Sequence, residues 1–267
     1  MKKLDVTEYI IETDKFKKNF TGFKFVMLSD LHSNVYNINL HDVNDIIKAE
    51  HPDAVLIAGD MFNSKKNDDV NDVANYLVAL AKRYPVFYAF GNHEYRMKMN
   101  PQMYGYGFYE LCRLLSNSGV CFLQDETVFL EKHGEKIALT GVEIDSVFYK
   151  MKHPVMGAGL MEKHLGIADK SLFNILIAHN PEYFRNYAVW GADLTLSGHI
   201  HGGIVRIPGL GGLISTTRKI LPEYDEGLYE SKSGRHMIIG RGLGTHTVNL
   251  RINNRPEVVI VKVLAKK

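Results

Sequence analysis

Six short apolar runs, each ending in turn residues and a polar cluster, constrain this chain more than any other feature. They are FKFVMLSD from Phe23, AVLIAGD from Ala54, VFYAFGNHE from Val86, KIALTGVEI from Lys136, NILIAHN from Asn174 and LTLSGHIH from Leu194. Continuous apolar runs of about 4–8 residues bounded by Gly, Asn or Asp read as strands buried on both faces. Amphipathic stretches lie between them. VNDVANYLVALAKR places Val70, Val73, Ala74, Leu77, Leu80 and Ala81 on one stripe, the pattern of a helix with one buried face. The stretch from Tyr109 to Leu115 reads as another helix. The C-terminal third differs: RHMIIGRG from Arg235 and EVVIVKVL from Glu257 are strand-like with no helix between them. The expectation is an α/β chain with an antiparallel close. No linker rich in Pro, Gly or Ser divides it, which predicts one domain over residues 1–267.

Composition narrows the classes further. The chain has 32 Lys plus Arg against 30 Asp plus Glu, a formal charge of +2, so no global field favours nucleic acid. Its 45% hydrophobic content disfavours disorder. The 2 cysteines, Cys112 and Cys121, exclude a disulfide-stapled scaffold and read as reduced, mostly buried thiols. The N-terminal MKKLDVTEYIIETDKFKKNF contains no apolar run of about 7–15 residues, and no stretch approaches the roughly 20 apolar residues of a membrane span. A soluble, cytoplasmic protein is expected, peripheral to a membrane at most.

The 12 histidines are the surplus. Asp30 and His32 follow the first run, Asp60 the second, and Asn92, His93 and Glu94 the third. His179 follows NILIA, and His199 and His201 follow LTLS. The carboxyl ends of strands in an α/β sheet line one crevice, so these residues are expected to converge. Imidazole and carboxylate together suit Zn, Fe, Mn or Ni. The D-x-H spacing of Asp30/His32 and the H-x-H spacing of His199/His201 put both side chains on one face if the backbone is extended.

These residues resemble the calcineurin-like metallophosphoesterase superfamily. The matching blocks are SDLH at Ser29, GD at Gly59, GNHE at Gly91, AHNP at Ala178 and SGHIHGG at Ser197. The tail resembles the bacterial YkuE/YaeI-like phosphoesterase branch, in RIPGLGGLISTTRKILPEYDEGLY from Arg206 and GRGLGTHTVNLRINNRPEVVIV from Gly240. The resemblance implies a four-layer α/β/β/α sandwich, two mixed β-sheets flanked by helices. It implies two divalent or mixed-valence transition metal ions: Asp30, His32 and His201 on one, Asn92, His179 and His199 on the other, and Asp60 bridging. His93 would be the proton donor outside the metal shell, with Asp30 in a second duty orienting it or a ligand.

Two cations about 3.5–4 Å apart lower the pKa of a bridging water and hold a phosphate for in-line attack, so no side-chain nucleophile is needed. The expected activity is hydrolysis of a phosphodiester or pyrophosphate P–O bond. A phosphomonoesterase and a non-catalytic scaffold of the same fold are the alternatives. The block GDMFNSK from Gly59 to Lys65 lacks the GDxxDRG pattern expected of Ser/Thr protein phosphatases. Arg241 and His246 are candidates for substrate contact together with Asn92, and Tyr95 and Arg96 are further ones. The glycine-rich, apolar stretch from Gly202 to Leu221 is a candidate wall for a lipid-linked substrate, or else an ordinary pair of strands with a Gly-Pro turn. A small-molecule phosphoester is the expected partner, with no nucleic acid and no obligate protein partner. His41, His51, His133, His153, His164 and His236 carry no motif and are expected on partly exposed loops or helices.

Overall fold

Each of the six apolar runs forms a strand. In the computed structural model, which describes residues 4–33, 38–65, 69–104, 107–150, 154–157, 159–203, 205–207, 211–214, 222–245 and 251–267, they are joined by eight more. In chain order these are β1 (Asp5–Thr13), β2 (Phe23–Leu28), β3 (Ala54–Ala58), β4 (Val86–Ala89), β5 (Val120–Phe122), β6 (Glu126–Lys132) and β7 (Glu135–Gly141). There follow β8 (Phe173–Ile177), β9 (Leu194–Ser197), β10 (Val205–Ile207), β11 (Gly211–Ile214), β12 (Gly227–Glu230), β13 (His236–Ile239) and β14 (Glu257–Ala265). The helices are α1 (Leu40–Glu50), α2 (Asn71–Ala81), α3 (Asn92–Met99), α4 (Pro101–Tyr104), α5 (Gly107–Asn117), α6 (Leu160–Leu165) and α7 (Phe184–Trp190).

Two six-stranded sheets result, ordered β1-β14-β2-β3-β4-β5 and β12-β13-β9-β8-β7-β6. Strands β2 to β5 run parallel, as do β7, β8, β9 and β13. Every residue of β3, β8 and β9 is buried, as continuous apolar runs require. One face of each sheet packs on the other sheet. Phe25, Leu56 and Val261 meet Leu139, Ile175 and Leu196 in that inner core. The outer face of the first sheet lies under α1, α2 and α5 through Val43, Ile47, Leu77 and Leu115. On the second sheet, Tyr187 and Trp190 of α7 cover Leu176. These are the four layers expected. Burying side chains of this size contributes roughly 1.5–3 kcal/mol each.

The tail departs from the expectation. The antiparallel close is partial: β12 pairs antiparallel with β13, whereas β13 joins β9 in parallel. Strand β14 runs antiparallel to β2 but parallel to β1, between the two. Both β1 and β6 escaped the apolar-run criterion. Each alternates exposed and covered residues because it forms the edge of its sheet. The stretch from Gly202 to Leu221 contains the hairpin β10–β11, and its remainder from 215 lies outside the described residues. Cys112 and Cys121 are free thiols, half-buried rather than fully enclosed. No helix among the described residues is long and apolar enough to cross a membrane.

Candidate metal centre

The site straddles the seam between the sheets. Asp30 and His32 follow β2, Asp60 follows β3, and Asn92 and His93 open α3 after β4, all from the first sheet. His179 follows β8 and His199 and His201 follow β9, from the second. All eight side chains are buried, Asp30 and His32 completely. Backbone bonds tie the loops together. Asp30 N donates to Gly59 O at 3.0 Å, His32 N to Asp60 O at 3.0 Å, and Gly198 N to His179 O at 3.1 Å.

The extended backbone expected at the D-x-H and H-x-H pairs is absent. Asp30 (φ 53°), His32 (φ 54°), His199 (φ 74°) and His201 (φ 56°) are left-handed, as is Asp60 (φ 54°). Convergence therefore comes from kinks that reverse the loops, not from period-two alternation. For non-glycine residues such backbones are strained by about 1–3 kcal/mol each, a strain that concentrates at functional sites. Glycines allow the loops to close. A Cβ on Gly91 would lie 2.1 Å from Asp60 Oδ1, and one on Gly59 (φ 83°) would lie 2.6 Å from the Gly91 backbone and 2.7 Å from His179 Nδ1.

Donor atoms gather in overlapping groups, each within 4.8 Å: Asp30, His32 and His201; Asp60, His179 and His199; and His32, Asp60 and His93. His201 Nε2 lies 3.3 Å from Asp30 Oδ1 and 3.0 Å from His32 Nε2. His179 Nε2 lies 3.1 Å from Asp60 Oδ2 and 3.8 Å from Asp30 Oδ1. Asp60 stands between the groups: its Oδ2 is also 3.9 Å from His32 Nε2 and 4.0 Å from His93 Nε2.

Second contacts orient these rings. His179 donates Nδ1–H to Ala58 O at 2.6 Å, which leaves Nε2 as the coordinating nitrogen. His93 is arranged the other way round. Its Nδ1 accepts from Ser64 N at 2.9 Å, which leaves the ring proton on Nε2, the atom facing Asp60. The orienting carboxylate on His93 is Asp60, whose Oδ1 accepts from His93 N at 2.9 Å. Asp30 Oδ1 accepts instead from His199 N at 3.0 Å. Glu94 underpins the loops: its two oxygens accept from Asp60 N, Gly91 N, Phe62 N and the Tyr88 hydroxyl.

The charges explain why cations belong here. Burial pushes the Asp30 carboxyl up to about 6, with Asp60 adding to the rise and His179 opposing it. Burial pushes Asp60 the same way, but His179 and His93 outweigh it and hold the carboxyl well below the usual range. His179 goes up to about 10: burial alone would lower it, and the Asp60 carboxylate prevails. Asn92 Oδ1 is buried without a hydrogen-bond partner. An orphaned carbonyl oxygen beside two buried carboxylates and imidazole nitrogens fits a transition metal and leaves a neutral ligand less well accounted for.

Candidates from the tail divide. The Arg241 guanidinium is engaged by Asp5 (3.3 Å), Glu226 (2.9 Å) and Glu257 (3.0 Å), so it clamps β1 to β14 instead of presenting a free fork to phosphate. His246 and His153 lie outside the described residues. Of the other histidines without a motif, His41, His51 and His133 are exposed, His236 is half-buried, and His164 pairs with Asp125 at 2.9 Å. Arg96 donates to Ser64 Oγ at 3.0 Å, and that oxygen lies 3.1 Å from His93 Nδ1.

Four residues near the centre had no assigned role in the sequence. Arg251 Nη2 donates to the carbonyls of Arg241, Gly242 and Gly244 and lies 3.2 Å from His201 Nδ1. Burial lowers its pKa to about 10, so it remains a cation at neutral pH. Asn254 Nδ2 donates to His201 O and Gly203 O. Ser64 fixes His93, and the Tyr149 ring packs 5.0 Å from that of His199. Arg251 and Asn254 fall within the tail stretch that carried the branch resemblance; nothing local in the sequence marked Ser64 or Tyr149.

Comparison with known proteins places the chain in a family. An uncharacterized metallophosphoesterase of Aquifex aeolicus is 29% identical over 98% of this chain and 93% of its own. The phosphodiesterase YaeI of Escherichia coli is 26% identical over 93% of this chain and 85% of its own. Among solved structures, TT1561 of Thermus thermophilus superposes with a TM-score of 0.50 at 13% identity, covering 82% of this chain and 89% of that one. The model of the calcineurin-like phosphoesterase family matches residues 23–203, more than half of the chain and all five motif blocks, and the chain belongs to that family.

Proposed function

We propose that the chain is a dinuclear metal-dependent phosphoesterase that hydrolyses a phosphodiester or pyrophosphate P–O bond. One observation carries the reading: two groups of buried donor atoms flank a single carboxylate, Asp60, with a histidine Nε2 proton directed at the same carboxylate. Asp30, His32 and His201 would hold one ion and Asn92, His179 and His199 the other, with Asp60 shared. When bound, two such ions supply positive charge for the phosphoryl oxygens and a water acidic enough to act as nucleophile near neutral pH.

The protein's own residues do the rest. The Ala58 carbonyl and the backbone bonds between loops hold the imidazoles in place before substrate arrives, which limits reorganisation during the reaction. His93 keeps its proton on Nε2 because Ser64 N–H occupies Nδ1, and it delivers that proton to the leaving oxygen as charge develops there. The diester preference draws support from the phosphodiesterase relative.

The test is metal analysis of purified protein, paired with turnover of bis-p-nitrophenyl phosphate and p-nitrophenyl phosphate with added Mn, Zn, Fe or Ni. Two metals per chain and faster diester turnover are expected; a metal-free, inert protein overturns the reading. Asp60→Ala should lose both metals and activity together. His93→Ala should keep both metals and lose about 10²–10⁴ in rate, least with a good leaving group. Loss of metal from His93→Ala would remove it from the acid role.

A further inference from the structure

On the same carboxyl-end edge, the loop after β7 walls a cavity of about 310 Å³. Val142 and Met156 give it an apolar lining, and Tyr95, Asp125, Glu143 and Asp145 give it an acidic and aromatic one. Two elements that line it also reach the metal centre. Tyr95 lies three residues beyond Asn92 in α3, on the same helix face. Tyr149 ends the short helical turn Ser146–Tyr149 of the wall and sets its ring against His179 (6.2 Å) and His199 (5.0 Å).

The charges of the cavity are only partly balanced. Lys98 Nζ lies 2.7 Å from Glu143 Oε2, and His164 Nδ1 lies 2.9 Å from Asp125 Oδ2. Among the described residues Asp145 has no basic side chain in ion-pair contact, and its Oδ1 accepts from Val147 N at 2.8 Å. Glu143 is nine-tenths buried, yet its Oε1 has no hydrogen-bond partner. A buried carboxylate oxygen with no donor is destabilising unless a ligand supplies one. The carboxylates together would repel a second anionic group on the substrate, such as another phosphate or a carboxylate. They attract a cation, and aromatic rings beside carboxylates suit a quaternary ammonium.

We propose that this cavity is a substrate subsite that takes the alcohol portion of a phosphodiester, and that the alcohol carries an ammonium group recognised by Glu143 and Asp145. The proposal rests on the phosphoesterase reading above and selects a zwitterionic diester over a polyanionic pyrophosphate.

The experiment compares two esters of p-nitrophenyl phosphate that share shape and leaving group, the choline ester and the uncharged 3,3-dimethylbutyl ester. The choline ester should show kcat/KM about tenfold higher, mostly through KM. In Glu143→Gln and Asp145→Asn that ratio should fall towards one, through a rise in KM for the choline ester. Asparagine at 145 retains the side-chain oxygen that accepts from Val147 N, so this variant keeps the turn. A ratio near one in the unaltered protein, or a ratio preserved in both variants, overturns the subsite. If neither ester is hydrolysed, the phosphodiesterase reading fails separately, and the subsite is judged by binding. Choline alone should shift the His164 imidazole resonances where 3,3-dimethylbutan-1-ol does not; no shift with choline overturns it.

Discussion

Glu94 is the least conspicuous member of the GNHE block and the one whose chemistry is most tightly specified. Its two oxygens receive four donors, which use every lone pair a carboxylate offers. Burial pushes its carboxyl up to about 7, yet a proton would have to displace one of those donors, so the ionised form is the one that matches the loops. Glu94→Gln turns an amide NH₂ against two N–H or O–H groups. It should destabilise the protein by about 1–3 kcal/mol, read as a lower urea midpoint at unchanged slope. An unchanged midpoint would show that the network is dispensable. Residue types in this block were legible because imidazole, carboxylate and carboxamide seldom cluster after strands without a task. The proton placement on His93 was not, because it depends on Ser64, nearly thirty residues away and in no motif.

At the scale of elements, the loops carry the specificity. The loops after β2, β3 and β9 turn through left-handed residues, and the glycines of the GD and GNHE blocks let adjacent loops touch. Gly91→Ala needs no unfavourable φ, because Gly91 is in extended backbone (φ −90°). Its Cβ would still meet Asp60 Oδ1 at 2.1 Å and Asp60 N at 2.6 Å. The expected outcome is a folded protein, by circular dichroism, that holds less than the full metal complement and has lost at least tenfold in activity. Full metal occupancy and activity would show that the two loops can separate without consequence. Apolar runs identified the buried strands β3, β8 and β9, whereas the edge strands β1 and β6 left only a faint alternating pattern. Periodicity alone also suggested an extended backbone at the D-x-H pair; it carries no information on φ, and the kinks are set by contacts between loops from different strands.

For the whole molecule, the location of the centre makes metal binding a contribution to the union of the two sheets. Candidate ligands from the first sheet face candidate ligands from the second, so an ion held by both would cross the seam that Phe25 and Leu196 close from within. Loading at about a hundred times the dissociation constant adds about 2.7 kcal/mol per site, or roughly 5–10 °C in Tm for a chain of this size. Thermal melts before and after chelation, then with Mn or Zn restored, should show that shift and its reversal. A Tm indifferent to metal would place the ions away from the seam. The four layers were legible only through the family resemblance that the motif blocks carry; the neighbours of the final strand were not, because strand order depends on long-range pairing.

That strand, β14, lies between β1 and β2, and the segment before it supplies Arg251 and Asn254 to the carbonyls around His201. On a ribosome, every candidate metal ligand emerges before residue 251, but the first sheet stays divided until β14 has left the exit tunnel. Until then β1 has no partner strand, because among the described residues it pairs only with β14. The nascent chain would therefore expose histidines and carboxylates without the framework that spaces them. Completion of the framework around the candidate ligands thus waits on β14, which follows all of them in the chain.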